Sequence, residues 1–434
     1  MRKLASIVTV SSIMKMYQKD RIICVSFNEL GYEAIVPNTV KVGDTLAFIQ
    51  EGSILPEINA WEFLRKRCYS EKLKGFVIRP MTMGAKETET GEKGERVRSW
   101  GLAVPLNELP IADERVINKL KSGDDITDLL EIRKYEPAED ASPTKGESKK
   151  AYPKWVKFCL GHLLTRWIGR LWQKRHQNSG GGFPDHVLLK SDETTVQNMP
   201  FAIEKFADEL VYISAKMEGQ SATTCFDPKK TKKDGLFYVC SRNNAYKIKC
   251  NNDFWNYCVN NGMEKKLRDY YKKTGKLLAV QAEQCGPGIQ NNIYNFKSLK
   301  WFVYLMTDII TGNQLNYDEM VSACKDLGLT MVPVIVANVK LKDVMPTLSA
   351  AVKYAEKSYW TLDEKGELVQ NYQPKEGERL WVDYFQNEGV VVRSMNCDKK
   401  KNIGLSMKIK NIDYASHNLG EIYNMAFKKI AIKK

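Results

Sequence analysis

Residues 211–226, VYISAKMEGQSATTCF, decide the reading of this chain. A β-prone segment, Val211-Tyr212-Ile213-Ser214, delivers Lys216, and Glu218 and Gly219 follow at once. A rigid strand end is a good place to fix a reactive side chain. A lysine nucleophile needs a neutral amine, so its pKa must fall. Positive charge nearby, such as a metal ion, acts in that direction. Glu218 cannot activate Lys216 by pairing with it directly, because that raises the pKa; it can instead hold a hydrated divalent cation. Gly219 lets the backbone turn tightly and lets a phosphate approach. Alone, Lys-x-Glu-Gly is the pattern of an ordinary turn.

The downstream sequence adds to it. Cys240-Ser241-Arg242-Asn243 follows a strand-like run and offers a guanidinium fork for phosphate or sugar. Glu283 stands at a strand end before the Gly-rich turn Gly286-Pro287-Gly288. Trp301-Phe302-Val303-Tyr304 supplies an aromatic strand able to stack on a base. Glu388-Gly389 heads the β-branched run Val390-Val391-Val392. In Ser406-Met407-Lys408-Ile409-Lys410 the alternation puts both lysines on one face of a strand.

The ordered set KMEG, SRN, AEQCGPGIQ, WFVYL, EGVVVR and SMKIK resembles the motif series of covalent nucleotidyltransferases, the ATP-dependent ligases and mRNA-capping enzymes. Glu283 with GPGIQNN, and KSDETTVQNMP from Lys190 to Pro200, resemble more narrowly the RNA ligase 2-like RNA ligases. The resemblance spans roughly Phe183 to Asn411. It implies that Lys216 attacks the α-phosphorus of ATP and forms a covalent lysyl-AMP. It implies that Glu218, Glu283 and Glu388 hold Mg2+ or Mn2+ through bound waters, with Glu283 also at the ribose. Arg242 then contacts the ribose and phosphate, Tyr304 stacks on adenine, and Lys408 and Lys410 grip the α-phosphate. Lys190 is placed at the triphosphate. Such chemistry rests on charge neutralisation and in-line positioning. Glu218 stands where the family often has Asp, Ala282 where it often has Gly, and Leu305 where a polar residue often follows the aromatic.

Residues 1–135 are dense in short β-like runs, SIVTV, RIICVSF, YEAIVP, TLAFIQ, GFVIRP and WGLAVPL, with one helical candidate, INAWEFLRKRC. This predicts a small OB-like β-barrel, with TMGAKETETGEKGERV as a long exposed hairpin loop. GFVIRPMTM and VRSWGLAVPL resemble strands of the N-terminal OB modules of one branch of these RNA ligases. Arg79, Arg96, Arg98 and Trp100 are the groups expected to meet RNA there. A Pro-, Ser- and charge-rich stretch around 136–150 marks a boundary. The next run, AYPKWVKFCLGHLLTRWIGRLWQKRHQ, has the periodicity of a domain-packing helix, so 136–182 reads as linker and helix. Residues 183–434 read as an α+β domain with a mainly antiparallel sheet.

Composition agrees with a polyanionic partner. Lys and Arg number 66 against 52 Asp and Glu, a net charge of +14. Ten cysteines stand singly with no CxxC, and four histidines complete the set, which argues against a zinc site or disulfide framework. No apolar run is long enough for a membrane span, and the N-terminus reads as a strand rather than a signal peptide. An intracellular, cytoplasmic, monomeric protein is expected. The tail after Lys410 is too short for the OB barrel that follows this strand in DNA ligases and capping enzymes. The reading is therefore an ATP-dependent RNA ligase joining 3′-hydroxyl and 5′-phosphate ends, with nicked duplex RNA as substrate. The alternatives are a DNA ligase, a GTP-dependent capping-type guanylyltransferase, or a non-catalytic RNA-binding protein on the same scaffold. If residues 1–135 only bind RNA, their deletion should spare adenylylation of the lysine.

Overall fold

The computed structural model describes residues 3–135, single residues between 155 and 168, and 179–416 apart from 186–187, 189, 191–192, 229–236, 247–249, 251, 291, 295, 365–367, 371 and 381–382. The expected α+β architecture is present: an N-terminal barrel, then antiparallel sheets.

The barrel is built on one long strand, Ala5–Met16. Its first half pairs with Thr45–Gln50 and its second with Lys19–Phe27, both antiparallel. Because alternate side chains point to opposite faces, Ala5 and Ile7 enter one core with Leu55, Trp61 and Phe76. Val8 and Val10 enter another with Val25, Phe48 and Trp100. The ring continues through Glu33–Pro37, Lys93–Ser99 and Met81–Glu87, and closes where Lys86 lies opposite Met16. Closure removes the exposed edges that an open sheet would carry. A smaller sheet orders Arg133–Lys134, Ser53–Pro56, Gly75–Val77 and Tyr69–Ser70.

Several local expectations need correction. The charged stretch expected as a loop forms two paired strands, Met81–Glu87 and Lys93–Ser99, with only the tip at 88–92 left to turn. The helical candidate is a 3-10 segment, Asn59–Leu64, followed by one turn of α-helix, Arg65–Cys68. Trp100 is buried in the barrel core and cannot stack on a base. Of the packing helix expected over 151–177, most lies outside the described residues.

Two large sheets and a three-stranded one, Leu368–Gln370, Tyr359–Leu362 and Phe385–Gln386, are described in the second unit. Of the large sheets, one orders Ser179–Gly182, Asn244–Tyr246, Phe237–Ser241, Gln220–Phe226, Leu278–Cys285, Lys300–Asp308 and Asn313–Gln314. The other orders Thr194–Thr195, Ser406–Lys410, Gly389–Ser394, Leu210–Ala215 and Val334–Lys340. Ala222, Val239, Val280 and Val303 of the first sheet pack under the helices Asp253–Asn260 and Met263–Thr274. These two helices part at Gly262, whose φ of 60° is the left-handed value that glycine adopts without penalty. Leu210–Ala215 belongs to one sheet and Gln220–Phe226 to the other. Lys216 to Gly219 is the crossing between them, which is why a lysine stands between a strand and a Glu-Gly turn.

The barrel is fastened to this unit by buried contacts. Ile412, just beyond the Ser406–Lys410 strand, is fully buried in the barrel core. Arg96 and Arg98, expected at RNA, are instead forked onto Asp413 and Glu356, at 2.6 Å and 2.7 Å. The backbone N–H of Gly31 donates to the carbonyl of Gln197 at 2.8 Å, and Gln50 Nε2 donates to Asn198 Oδ1 at 3.0 Å. No helix among the described residues is long and apolar enough to cross a membrane.

Candidate active site

Lys216 follows the Leu210–Ala215 strand, and its backbone N–H donates to the carbonyl of Gly389 on the neighbouring strand at 3.0 Å. Gly389 is in turn paired with Lys410. Positions level across adjacent strands project from the same face, so Lys216 and Lys410 flank a residue with no side chain. Lys408 is one pleat along, opposite Val391 and Thr195. Met407 and Ile409, which alternate with the lysines, are fully buried, which gives Lys408 and Lys410 their common face.

The Lys216 ammonium donates to Glu388 Oε1, and its side chain is 25% exposed. Burial favours the neutral amine, but Glu388, by charge and hydrogen bond, and Glu283 and Glu218 behind it, outweigh that and raise the pKa. Glu283 lies in this field on the Leu278–Cys285 strand, opposite Ser221 and Phe302. Burial, with the charges of Glu388 and Glu218 added, pushes its carboxyl up to about 8 against the pull of Lys216 and Arg242. The exposed Arg242, just past the Phe237–Ser241 strand, therefore reaches the same cluster by charge. Glu218 is buried, and its Oε2 accepts the backbone N–H of Ile293 at 3.2 Å. Its own N–H donates to the Tyr294 hydroxyl at 3.0 Å.

The two glycines of the lysine and glutamate motifs have a packing role. A Cβ on Gly219 would stand 2.5 Å from the carbonyl oxygen of Gln284 and 2.7 Å from Glu283 Cγ. One on Gly389 would stand 2.2 Å from the carbonyl oxygen of Ile409. Close backbone approach, rather than room for a phosphate, is what each requires. Gln290 also donates its amide to the carbonyl of Gly219, tying the Gly-rich turn to the crossing.

Tyr304 falls at an irregularity in the pairing of the Leu278–Cys285 and Lys300–Asp308 strands, and its hydroxyl is 2.9 Å from Ser221 Oγ. Trp301, in the same run, is buried and stacked on Tyr257 at 4.6 Å between centroids, so the base-stacking expectation narrows to Tyr304. Lys190 is exposed, 3.8 Å from Asp185, and no described contact joins it to the cluster. Among the described residues no three His, Cys, Asp or Glu side chains stand close enough to ligate a metal directly.

Three features escape the sequence pattern. Lys410 is ion-paired with Glu51 of the barrel unit. Glu193, inside the KSDETT run, is buried and accepts from Arg393 Nη2 at 2.7 Å and Lys399 Nζ at 3.1 Å. Arg393 also donates to the carbonyl of Tyr304 at 2.7 Å, so Glu193 braces the strand bearing the aromatic. Burial opposes the Glu193 charge, yet Arg393 and Lys399 hold its carboxyl down at about 2. The third is the Tyr294 hydroxyl under Glu218. Glu193 lies within a motif that by itself assigns it no role, and nothing local marks Glu51 or Tyr294.

A strand-borne lysine thus stands among three glutamates, with two strand lysines on the same sheet and a tyrosine bonded to Ser221, the arrangement that the resemblance to covalent nucleotidyltransferases implies. Residues 209–410 match the model of the RNA ligase family. The comparison with curated proteins finds no match. Among solved structures, a lysine-to-methionine variant of Naegleria gruberi RNA ligase with AMP and manganese is similar, at TM-score 0.67 and 21% identity over 96% of this chain and 98% of that one. A lysine-to-alanine variant of the same ligase with ATP and manganese has TM-score 0.67 and 20% identity, over 97% and 98%. The same ligase with pyrophosphate has TM-score 0.67 and 20% identity, over 96% and 98%. At this identity the likeness establishes the common fold.

Proposed function

We propose that the protein is an ATP-dependent RNA ligase that joins 3′-hydroxyl and 5′-phosphate ends through a lysyl-AMP on Lys216. One observation carries the reading. Lys216 lies in direct contact with Glu388, in the field of Glu283 and Glu218, and level with Lys410 on the same sheet face. The Naegleria structures, which hold ATP, AMP or pyrophosphate, support it.

The acidic trio fits a hydrated divalent cation, magnesium or manganese. Among the described residues no three such side chains are grouped to ligate an ion directly, while burial, with the charges of Glu388 and Glu218 added, raises the Glu283 carboxyl. Such an ion, when bound, supplies positive charge that favours the neutral amine and offsets phosphate charge. The protein supplies the rest. Glu388 Oε1 orients the Lys216 amine at the strand end. Its nitrogen attacks the α-phosphorus, the P–N bond forms, and the bond to pyrophosphate breaks. Lys408 and Lys410 neutralise the phosphoryl oxygens, Arg242 meets the ribose, and Tyr304 covers the base. AMP then passes to an RNA 5′-phosphate, breaking the P–N bond, and a 3′-hydroxyl displaces it to form the phosphodiester. The substrate proposed is nicked duplex RNA, acted on by a monomer. Ten free thiols support a reducing, intracellular setting.

Incubation with labelled ATP and magnesium is expected to leave label covalently on the protein, and Lys216→Ala to abolish it. Label retained by the alanine variant would falsify the assignment. Labelling by GTP in place of ATP would move the reading to a capping-type enzyme. Equal sealing of all-DNA nicks would remove the RNA preference.

A further inference from the structure

The barrel unit carries a strongly basic surface of which the sequence reading took up Arg79 alone. It comprises the Arg65–Cys68 turn and the edge of the small sheet that pairs Tyr69–Ser70 with Gly75–Val77. Between Glu57 and Arg79 this segment has six Lys or Arg residues and three Glu. The acids are all engaged locally: Glu57 and Glu62 hold Arg65, and Glu71 holds Lys74. Lys66, Arg67, Lys72 and Arg79 are exposed, and among the described residues none has a carboxylate partner. Arg67 adjoins Cys68 in the chain, and Arg79 also acts by charge on the Cys68 thiol. Phe63, one turn earlier, is 66% exposed beside the buried Trp61.

Position distinguishes this surface from an ordinary solvated one. Arg79 directly follows Ile78, whose carbonyl accepts the N–H of Gly52 at 2.9 Å. Gly52 directly follows Glu51, whose carboxylate holds Lys410. The basic surface thus begins beside the lysine assigned to the α-phosphate and runs outward over Cys68 to Lys66 and Lys72. An RNA whose end lies at Lys216 must continue away from it, and a run of unpaired cations beginning beside Lys410 offers its phosphates neutralising charge.

We propose that this surface is the track on which the RNA backbone lies outside the cleft. Arg67 and Arg79 neutralise phosphates, Lys66 and Lys72 extend the track, and Phe63 stacks on an unpaired base. The proposal rests on the ligase reading for the identity of the polyanion. Both arginines are exposed, so their loss leaves the fold intact.

The test is a salt titration of full-length protein against fluorescent nicked RNA duplex, without ATP. Arg67→Ala with Arg79→Ala is expected to weaken binding by about tenfold or more at ~0.1 M salt. It should lower the slope of log affinity against log salt by about two. Arg67→Lys with Arg79→Lys should keep the slope. Phe63→Ala should weaken binding to a duplex with a single-stranded tail by about 5- to 100-fold, the range of one lost stacking contact. Unchanged affinity and slope in the double alanine variant would overturn the proposal, as would an equal loss of slope in the lysine pair. The titration involves no nucleotide, so a protein that binds RNA this way yet forms no lysyl-AMP sinks the ligase reading alone.

Discussion

The ammonium of Lys410 is ion-paired with the carboxylate of Glu51, although 359 positions separate them in the chain. Lys410 is the strand lysine level with Lys216, and Glu51 lies in the turn after the barrel strand Thr45–Gln50, so the barrel unit reaches into the candidate nucleotide site. Both side chains are mostly buried, 20% and 13% exposed, which limits screening by solvent. Glu51→Gln is expected to cost about 1–3 kcal/mol of stability, because it strands a charge that has little water. A double-mutant cycle with Lys410→Gln measures it. Additive effects of the two changes would mean that the pair carries no coupling.

Deletion of residues 1–135 should do more than remove an RNA-binding surface. It uncovers the fully buried Ile412, which the strand of Lys408 and Lys410 runs straight into. It also takes Glu51 from Lys410, and Arg96 and Arg98 from Asp413 and Glu356. The truncated chain is therefore expected to melt at lower temperature and to form lysyl-AMP more slowly than the full chain. A barrel that served RNA alone would leave both properties untouched. Equal labelling rates would show that the barrel's hold on the strand is irrelevant to the first step.

The glycines of the two Glu-Gly pairs predict a sharp contrast. An added methyl at Gly219 or Gly389 meets backbone oxygens, at 2.5 Å and 2.2 Å, that cannot swing aside as a side-chain end can. Gly219→Ala and Gly389→Ala are each expected to lose about 2–4 kcal/mol. At Gly182 a Cβ meets nothing within 4 Å, so Gly182→Ala should stay within about 0.5 kcal/mol. Denaturant melts of the three variants decide it. A tolerated Gly389→Ala would mean that the two strands part easily.

The legible part of the fold and site came from local pattern. Alternation in Ser406–Lys410 places Lys408 and Lys410 on one face, and the motif order brings Lys216, Glu283 and Glu388 together. The hidden part comes from pairings far apart in the chain. Arg96 and Arg98 carry the same charge whether they meet phosphate or Glu356, and only the docking of the two units decides which. Trp100 illustrates the same limit: an aromatic beside arginines reads as a stacking platform until the barrel closes over it. The charged run 82–97 reads as a loop because the strands it forms bury only Ala85 and Val97 there, and charged residues and glycines fill most of the partly buried positions.

Tyr304 separates ring from hydroxyl. The hydroxyl binds Ser221 Oγ, while the ring is the surface assigned to the base. Tyr304→Phe should cost about 0.5–1.5 kcal/mol of stability, one hydrogen bond, with little change in KM for ATP. Tyr304→Ala should raise that KM by about 5- to 100-fold, as loss of a base stack does. An alanine variant with unchanged KM would show that adenine lies elsewhere.

Glu193 sets a pH dependence. Its carboxyl, ordinarily near 4.5, is held at about 2 in the folded protein by Arg393 and Lys399 against the cost of burial. A depressed folded pKa means that the unfolded chain binds the proton first. The stabilisation is therefore complete above about pH 4.5 and is lost as pH falls toward about 2. The span corresponds to something on the order of 3 kcal/mol. Glu193→Gln removes the charge at every pH, so the stability gap between wild type and variant should be widest near neutrality and close on acidification. Tyr304 shares Arg393 with Glu193 through its carbonyl, so KM for ATP should rise in the variant at neutral pH. A gap that stays constant from pH 6 to pH 2 would mean that Arg393 and Lys399 do not hold this carboxylate.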